Sequence, residues 1–377
     1  MIIYYNIVVN KKVPIGGIKL ITKEQILSAL KKVYDPELRR NVVDLGMVKN
    51  IEIEGDKVTV DINLTVKGCP LRDQIKNNAI KEISKIEGVS EVVVNIGAMT
   101  EEERQDLAKR LKEEKKNLFE NTRVIVVGSG KGGVGKSTVA VNLAVALSRL
   151  GFEVGLLDAD ILGSSVPRLL GIVGEKPYAL DEHTVLPIER FGLKIISMGN
   201  FVDEDTPLIW RGPLLTGVID QFFNEVLWGD LDYLVLDLPP GTGDIPLTVM
   251  QRLPEAKFIL VTTPQASASH VAGRIGHMAK KVNVEVIGIV ENMSYFECPK
   301  CGERYNIFGE GETEKLAEAL QTEILARIPI VVKIRELSDE GIPPALDDTE
   351  EGAIYVELAE KIVEKVRPLR HEKEPLK

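Results

Sequence analysis

The stretch Gly128-Ser-Gly-Lys-Gly-Gly-Val-Gly-Lys-Ser-Thr138 constrains the fold of this 377-residue chain more than any other. It follows the apolar run Val124 to Val127 and precedes an apolar-periodic segment from Val139 to Leu150. Strand, glycine loop and helix in that order form the context of a phosphate-binding loop, and Gly130 to Ser137 fits G-x-x-x-x-G-K-[ST] without a mismatch. Gly130, Gly132, Gly133 and Gly135 let backbone N–H groups close around phosphate oxygens where a Cβ would intrude. The amides of Val134 and Thr138 belong to the same cradle, and the new helix turns its positive end toward the anion. Lys136 supplies a point charge for the β/γ-phosphates, and the Ser137 hydroxyl suits Mg²⁺. A plain glycine turn does not account for Gly, Lys and Ser together. A mostly parallel α/β sheet and bound ATP are therefore expected.

Downstream, apolar strand-like runs alternate with helical segments from Arg123 onward, as such a sheet requires. Glu153 to Asp160 is a buried strand pattern ending in Asp158 and Asp160, and Leu231 to Asp237 is another ending in Asp237. Ligands of open α/β sheets gather at the carboxyl edge, where these acids emerge. A buried aspartate needs a partner or a metal. Asp237 is accordingly expected to hold Mg²⁺ opposite Ser137.

The formal net charge of −10 argues against a broad nucleic-acid surface. No apolar run approaches the length that spans a bilayer. Met1 to Val9 is apolar but lacks the basic region and cleavage site of a signal. The three cysteines, Cys69, Cys298 and Cys301, form no disulfide framework, so reduced thiols in the cytoplasm are expected.

Ahead of the loop, residues 1–99 are expected to hold a small α+β domain with its core starting near Thr22. Thr22 and Gln25 have capping-box spacing, and Ile26, Leu27, Leu30 and Val33 recur at helical intervals. Val48 to Ile53 and Val58 to Leu64 predict a hairpin across Glu54-Gly55-Asp56. A helix starting near Pro70 carries Ile75, Ala79, Ile80 and Ile83, and Val89 to Val94 closes the unit. Cys69 precedes that helix. The helix N-terminus suits a thiolate ligand or acceptor, and simple packing as a small apolar residue is the alternative. Residues 100–122 are charge-rich and predict an exposed linking helix. The nucleotide domain should span 123–370, with 371–377 as a tail.

Cys298-Pro-Lys-Cys301 places two thiolates on one tight turn, able to grip one tetrahedral metal or one cluster. Four ligands are generally needed, and no histidine lies nearby in sequence. A two-fold homodimer would supply two cysteines from each copy. Zn²⁺ and an iron–sulphur cluster both suit the pair.

With Lys131 after the first motif glycine, the loop resembles the deviant Walker A loop of MinD, ParA, the nitrogenase iron protein and the Mrp/ApbC carriers. Asp-Ala-Asp160, Ser197-Met-Gly-Asn, Trp210-Arg-Gly-Pro213, Asp-Leu-Pro-Pro-Gly-Thr-Gly-Asp244, Glu-Asn-Met-Ser294 and C-x-x-C follow in the order seen in the Mrp/ApbC family. Asp35-Pro-Glu, Val43-Asp-Leu-Gly46 and Thr65 to Pro70 resemble a small domain linked to iron–sulphur cluster assembly. The family resemblance implies an ATP hydrolase that carries a [4Fe-4S] cluster between two subunits and delivers it to apoproteins. It implies that Lys131 reaches the partner's phosphates as an arginine finger does. It also implies that Asp160 orients or deprotonates the attacking water, that Asp158 lies near the metal, and that Asn292 reads adenine. Leu162 and Ser164 depart from the family's Tyr and Pro in the first switch.

A MinD/ParA-like spatial switch is the rival expectation. It would need a lipid-binding C-terminal helix or a basic patch. Glu357, Glu360 and Glu364 suit anionic lipid poorly, and the cysteine pair has no role there. A nitrogenase-type donor would carry well-separated cluster cysteines, unlike these.

Overall fold

The computed structural model describes residues 21–35, 38, 40–65, 72–113, 120–160, 163, 165–201 and 212–369. The expectations placed on Met1 to Val9, Pro36, Cys69, Pro70, Leu162, Ser164, Trp210, Arg211 and the 371–377 tail lie outside the described residues. Two units divide the chain, 1–109 and 110–377.

In the first unit, α1 (Lys23–Leu30) starts at the Thr22 capping box, with Gln25 returning the bond as its spacing predicts. Strands β1 (Val48–Glu54) and β2 (Lys57–Leu64) pair antiparallel. Gly55 turns between them at φ +67°, a conformation that glycine adopts without strain. After α2 (Arg72–Ile83), β3 (Glu91–Ala98) joins β2 in parallel. Val58, Val60, Ile62 and Leu64 alternate into the core with Ile26, Leu30, Ile75 and Ile83. Leu27 and Ile80 are only partly buried, because each lies at the margin of its helix's apolar stripe. Helix α3 (Glu101–Glu113) occupies the charge-rich stretch. It is not solvated all round, since Leu107 and Ala108 are buried.

The second unit is built on an eight-stranded sheet. Its strands are β4 (Arg123–Ser129), β5 (Val154–Asp158), β6 (Ile188–Arg190), β7 (Leu193–Ser197), β8 (Tyr233–Asp237), β9 (Lys257–Thr262), β10 (Glu285–Asn292) and β13 (Ile324–Ile328). Their spatial order is β6-β7-β5-β8-β4-β9-β10-β13, parallel throughout except where β6 turns back on β7. The expected α/β fold with a mostly parallel sheet, preceded by a small α+β unit, is the one observed. Two short strands, β11 (Phe296–Glu297) and β12 (Arg304–Tyr305), form a separate hairpin.

Both faces of the sheet are covered, which explains the near-continuous apolar strands. Ile125 and Val127 face α4 (Lys136–Arg149) and the C-terminal α9 (Glu350–Lys365). Val124 and Val126 face the opposite way, into a cluster with α5 (Gly212–Asn224), α7 (Ala266–Lys281) and α8 (Glu312–Leu320). Helix α6 (Asp244–Arg252) lies on that side too. The apolar stripe of α9, with Tyr355, Leu358, Ala359 and Ile362, is buried in the same cluster as α4.

Candidate nucleotide site and cysteine hairpin

Strand register sets the level of the site. Ser197, Asp158 and Asp237 are direct neighbours across β7, β5 and β8. Asp237 in turn pairs with Val127, three residues before Gly130. These four strands run in parallel, so their polar terminal residues emerge at one edge around the loop.

The loop's glycines are needed for two different reasons. Gly133 and Gly135 adopt φ +79° and +82°, and only glycine visits that region freely. Gly130 is needed for space, since an ideal Cβ there would lie 2.3 Å from the Ala272 backbone nitrogen. Behind the loop, Asn292 Nδ2 donates to the Val134 carbonyl over 2.9 Å. A Cβ on Gly135 would fall 2.1 Å from that same nitrogen.

Lys136 is buried and donates from Nζ to Asp237 Oδ1 at 2.6 Å and to Ser137 Oγ at 3.2 Å. Asp160 Oδ2 lies 3.9 Å from the same ammonium. The expected group of Lys136, Ser137, Asp160 and Asp237 thus converges on one point. Asp237 is fully buried, and its second oxygen has no hydrogen-bond partner. A buried carboxylate oxygen left open beside a serine hydroxyl is the donor set a hard, hydrated cation such as Mg²⁺ takes.

Asp158 uses both oxygens. Oδ1 accepts from the Asp160 amide at 3.0 Å and Oδ2 from the Ser197 hydroxyl at 2.8 Å. It braces the turn that presents Asp160. Burial pushes the Asp160 carboxyl above its ordinary range; Lys136 opposes this and the Asp237 charge adds to it. The Gly163 amide donates to Asp160 Oδ1 at 3.2 Å. In the glycine-rich turn after Asp237, the Gly241 amide donates to the Ser129 carbonyl at 2.8 Å, so that turn abuts the start of the loop.

Lys131 Nζ donates to Gln265 Oε1 at 3.0 Å, within its own chain. Sequence reasoning assigned no role to Gln265, Ser197 or Gly163. The usable signal for the first two was position: each is a polar residue at or just beyond the carboxyl end of a parallel strand.

Cys298 and Cys301 sit on the hairpin turn between β11 and β12. The Cys298 amide donates to the Glu303 carbonyl, and the Gly302 amide donates to the Cys298 carbonyl, each at 2.9 Å. Gly302 closes the turn at φ +70°. The amide of Lys300, then that of Cys301, and the Cys301 thiol hold the Cys298 thiol below its ordinary range. Both thiols are free, with Cys301 exposed and Cys298 partly so. Among the described residues, no group of three or more His, Cys, Asp or Glu is placed to hold a metal. The described residues therefore offer the turn's two thiols and no assembled ligand set around them. Arg304 reinforces the hairpin, bonding Glu297 at 2.8 Å and stacking 4.5 Å from the Tyr295 ring centre.

The loop, the paired acids and the cysteine turn belong to one unit, and a single family model spans that unit. The model, described as the NUBPL iron-transfer P-loop NTPase, matches residues 120–367. The chain belongs to this family.

A second model, for an iron–sulfur cluster assembly protein, matches residues 23–95 of this P-loop NTPase. The iron–sulfur cluster carrier protein of Mycobacterium leprae is 42% identical over 363 residues, covering 92% of this chain and 94% of that relative. The Bacillus subtilis protein of the same name is 42% identical over 348 residues, covering 91% and 98%. Among solved structures, a nucleotide-binding protein from Archaeoglobus fulgidus, in complex with ADP and with Co, is 42% identical with a TM-score of 0.52. That match covers 62% of this chain and 91% of that one. The carrier family anticipated from the ordered motifs is the one the comparisons identify. No helix among the described residues is long and apolar enough to cross a membrane.

Proposed function

We propose that this chain is an ATP-hydrolysing carrier that binds a [4Fe-4S] cluster between two copies, through Cys298 and Cys301 of each, and passes it to apoproteins in the cytoplasm. The observation that carries the reading is the pair of accessible thiols on a braced turn, in the unit that holds a formed P-loop. Four thiolates complete a cubane cluster, and a two-fold axis at the hairpin supplies them. The cluster is cargo, and an acceptor's own thiolates replace those of the turn one by one.

In the nucleotide site, the amides of Gly132 to Thr138 and the α4 N-terminus hold the phosphates. Lys136 leaves Asp237 for the β/γ-phosphates. Ser137 and Asp237 are the residues that would hold Mg²⁺, which neutralises phosphate charge when bound. Asp160, steadied by Asp158 and raised by burial, accepts the proton of the attacking water. Lys131 crosses to the partner's phosphates, and Asn292 offers its side-chain amide to the adenine edge.

The rival spatial-switch reading needs either a basic patch or an apolar helix face for lipid. The stripe of α9 already packs in the core. Anaerobic reconstitution with ferrous iron and sulfide tests the proposal. The loaded protein should show iron–sulphur visible absorbance and sediment as a dimer, and Cys298→Ser or Cys301→Ser should abolish both. A colourless protein binding Zn²⁺ instead, or variants retaining a full cluster, would exclude it.

A further inference from the structure

Lys131 is pinned at both ends within its own chain. Its carbonyl accepts from the Ser129 hydroxyl at 3.0 Å, and its ammonium donates to Gln265 Oε1 at 3.0 Å. The reach between them is set by backbone packing. The neighbouring Gly130 lies so close to α7 that an ideal Cβ would meet Ala272 N at 2.3 Å and Val271 C at 2.5 Å. That contact fixes the loop against the helix that Gln265 immediately precedes.

The acceptor itself is unusual for its place. Gln265 precedes α7 with extended backbone, φ −62° and ψ 131°, and its side chain makes no capping bond to the helix. The amide oxygen is turned to Lys131 instead. A helix N-terminus carries partial positive charge and disfavours a cation. The neutral amide is thus the contact that retains the lysine there. A carboxylate would add the attraction of opposite charges to that bond and hold the ammonium more strongly.

We propose that Gln265 is a positioning residue for Lys131, a neutral latch that keeps the lysine on its own subunit until nucleotide and a second copy draw it across. The latch rests on the reading above that Lys131 acts on the partner's phosphates. Strength is the point of the choice of residue. A carboxylate would trap the lysine in cis, and an apolar side chain would leave it unplaced.

The test uses the full chain with Mg²⁺ and a non-hydrolysable ATP analogue, measuring the dimer dissociation constant by sedimentation. Gln265→Ala should tighten the dimer about tenfold, because no cis contact has to break. Gln265→Glu should weaken it by about the same factor, and Gln265→Asn, too short to reach, should follow Gln265→Ala. In a Lys131→Ala background all three substitutions should be silent. Shifts of the same sign for Ala and Glu, or shifts that persist without the lysine, overturn the latch while leaving the trans role of Lys131 intact. If Lys131→Ala alone changes neither dimerisation nor hydrolysis, the trans role fails first. Urea midpoints of the three variants, equal to the parent's, exclude misfolding as the cause.

Discussion

Lys136 Nζ and Asp237 Oδ1 lie 2.6 Å apart with both side chains buried. The two groups proposed for phosphate and Mg²⁺ therefore neutralise one another in this arrangement. Nucleotide binding has to exchange this pair for two new ones, Lys136 with phosphate and Asp237 with the hydrated cation. The second oxygen of Asp237, buried and without a hydrogen-bond partner, is the one left for that cation once the site rearranges.

Removing one partner strands the other in a buried site, which costs about 3–5 kcal/mol. Lys136→Ala should thus destabilise the nucleotide-free protein by that amount, besides abolishing hydrolysis. Lys136→Met combined with Asp237→Leu should recover most of the loss, because no charge is then left alone. Urea unfolding without nucleotide reads both. Additive losses would mean the pair is not coupled.

Asp160→Asn keeps the shape of the turn but cannot take a proton. ATP binding should persist, while the single-turnover rate falls by about 10²–10⁴, the usual worth of a general base. Equal turnover by this variant removes Asp160 from the chemistry.

The loop glycines should separate by mechanism. Gly133→Ala meets open space, so its cost is the left-handed backbone alone, about 1–2 kcal/mol. Gly130→Ala drives a Cβ into the Ala272 backbone, which cannot swing aside as a side chain can. It should cost distinctly more and displace α7 from the loop. Comparable unfolding midpoints for the two variants would contradict this account.

The cysteine hairpin stands outside the eight-stranded sheet. Cys298→Ser and Cys301→Ser should therefore leave the unfolding free energy of the unloaded protein within about 0.5 kcal/mol of the parent, as surface changes do. A larger loss would show that the thiols pack structurally.

Local signals carried much of this molecule. The P-loop, the Thr22 capping box and the strand-end position of Asp237 each depend on residues a few positions apart, and each was legible. What escaped were bonds closing over long loops: Lys131 to Gln265 spans 134 residues, Ser197 to Asp158 spans 39, and Asn142 to the Ala345 amide spans 203. No spacing rule reaches that far, because the sheet order creates these meetings. Helix α3 misled for a related reason. Its charged composition suggests solvent on all sides, yet Leu107 and Ala108 find cover that only the tertiary fold provides.

The strut from Asn292 to the Val134 carbonyl has a thermodynamic corollary. A loop rich in glycine loses more conformational freedom on ordering than any other segment of equal length. Here that loss falls on folding, since the Asn292 strut and the close approach of α7 hold the loop in its curved form. On the proposed function, a nucleotide meets a loop that is already ordered, so its binding free energy stays available for bringing two copies together.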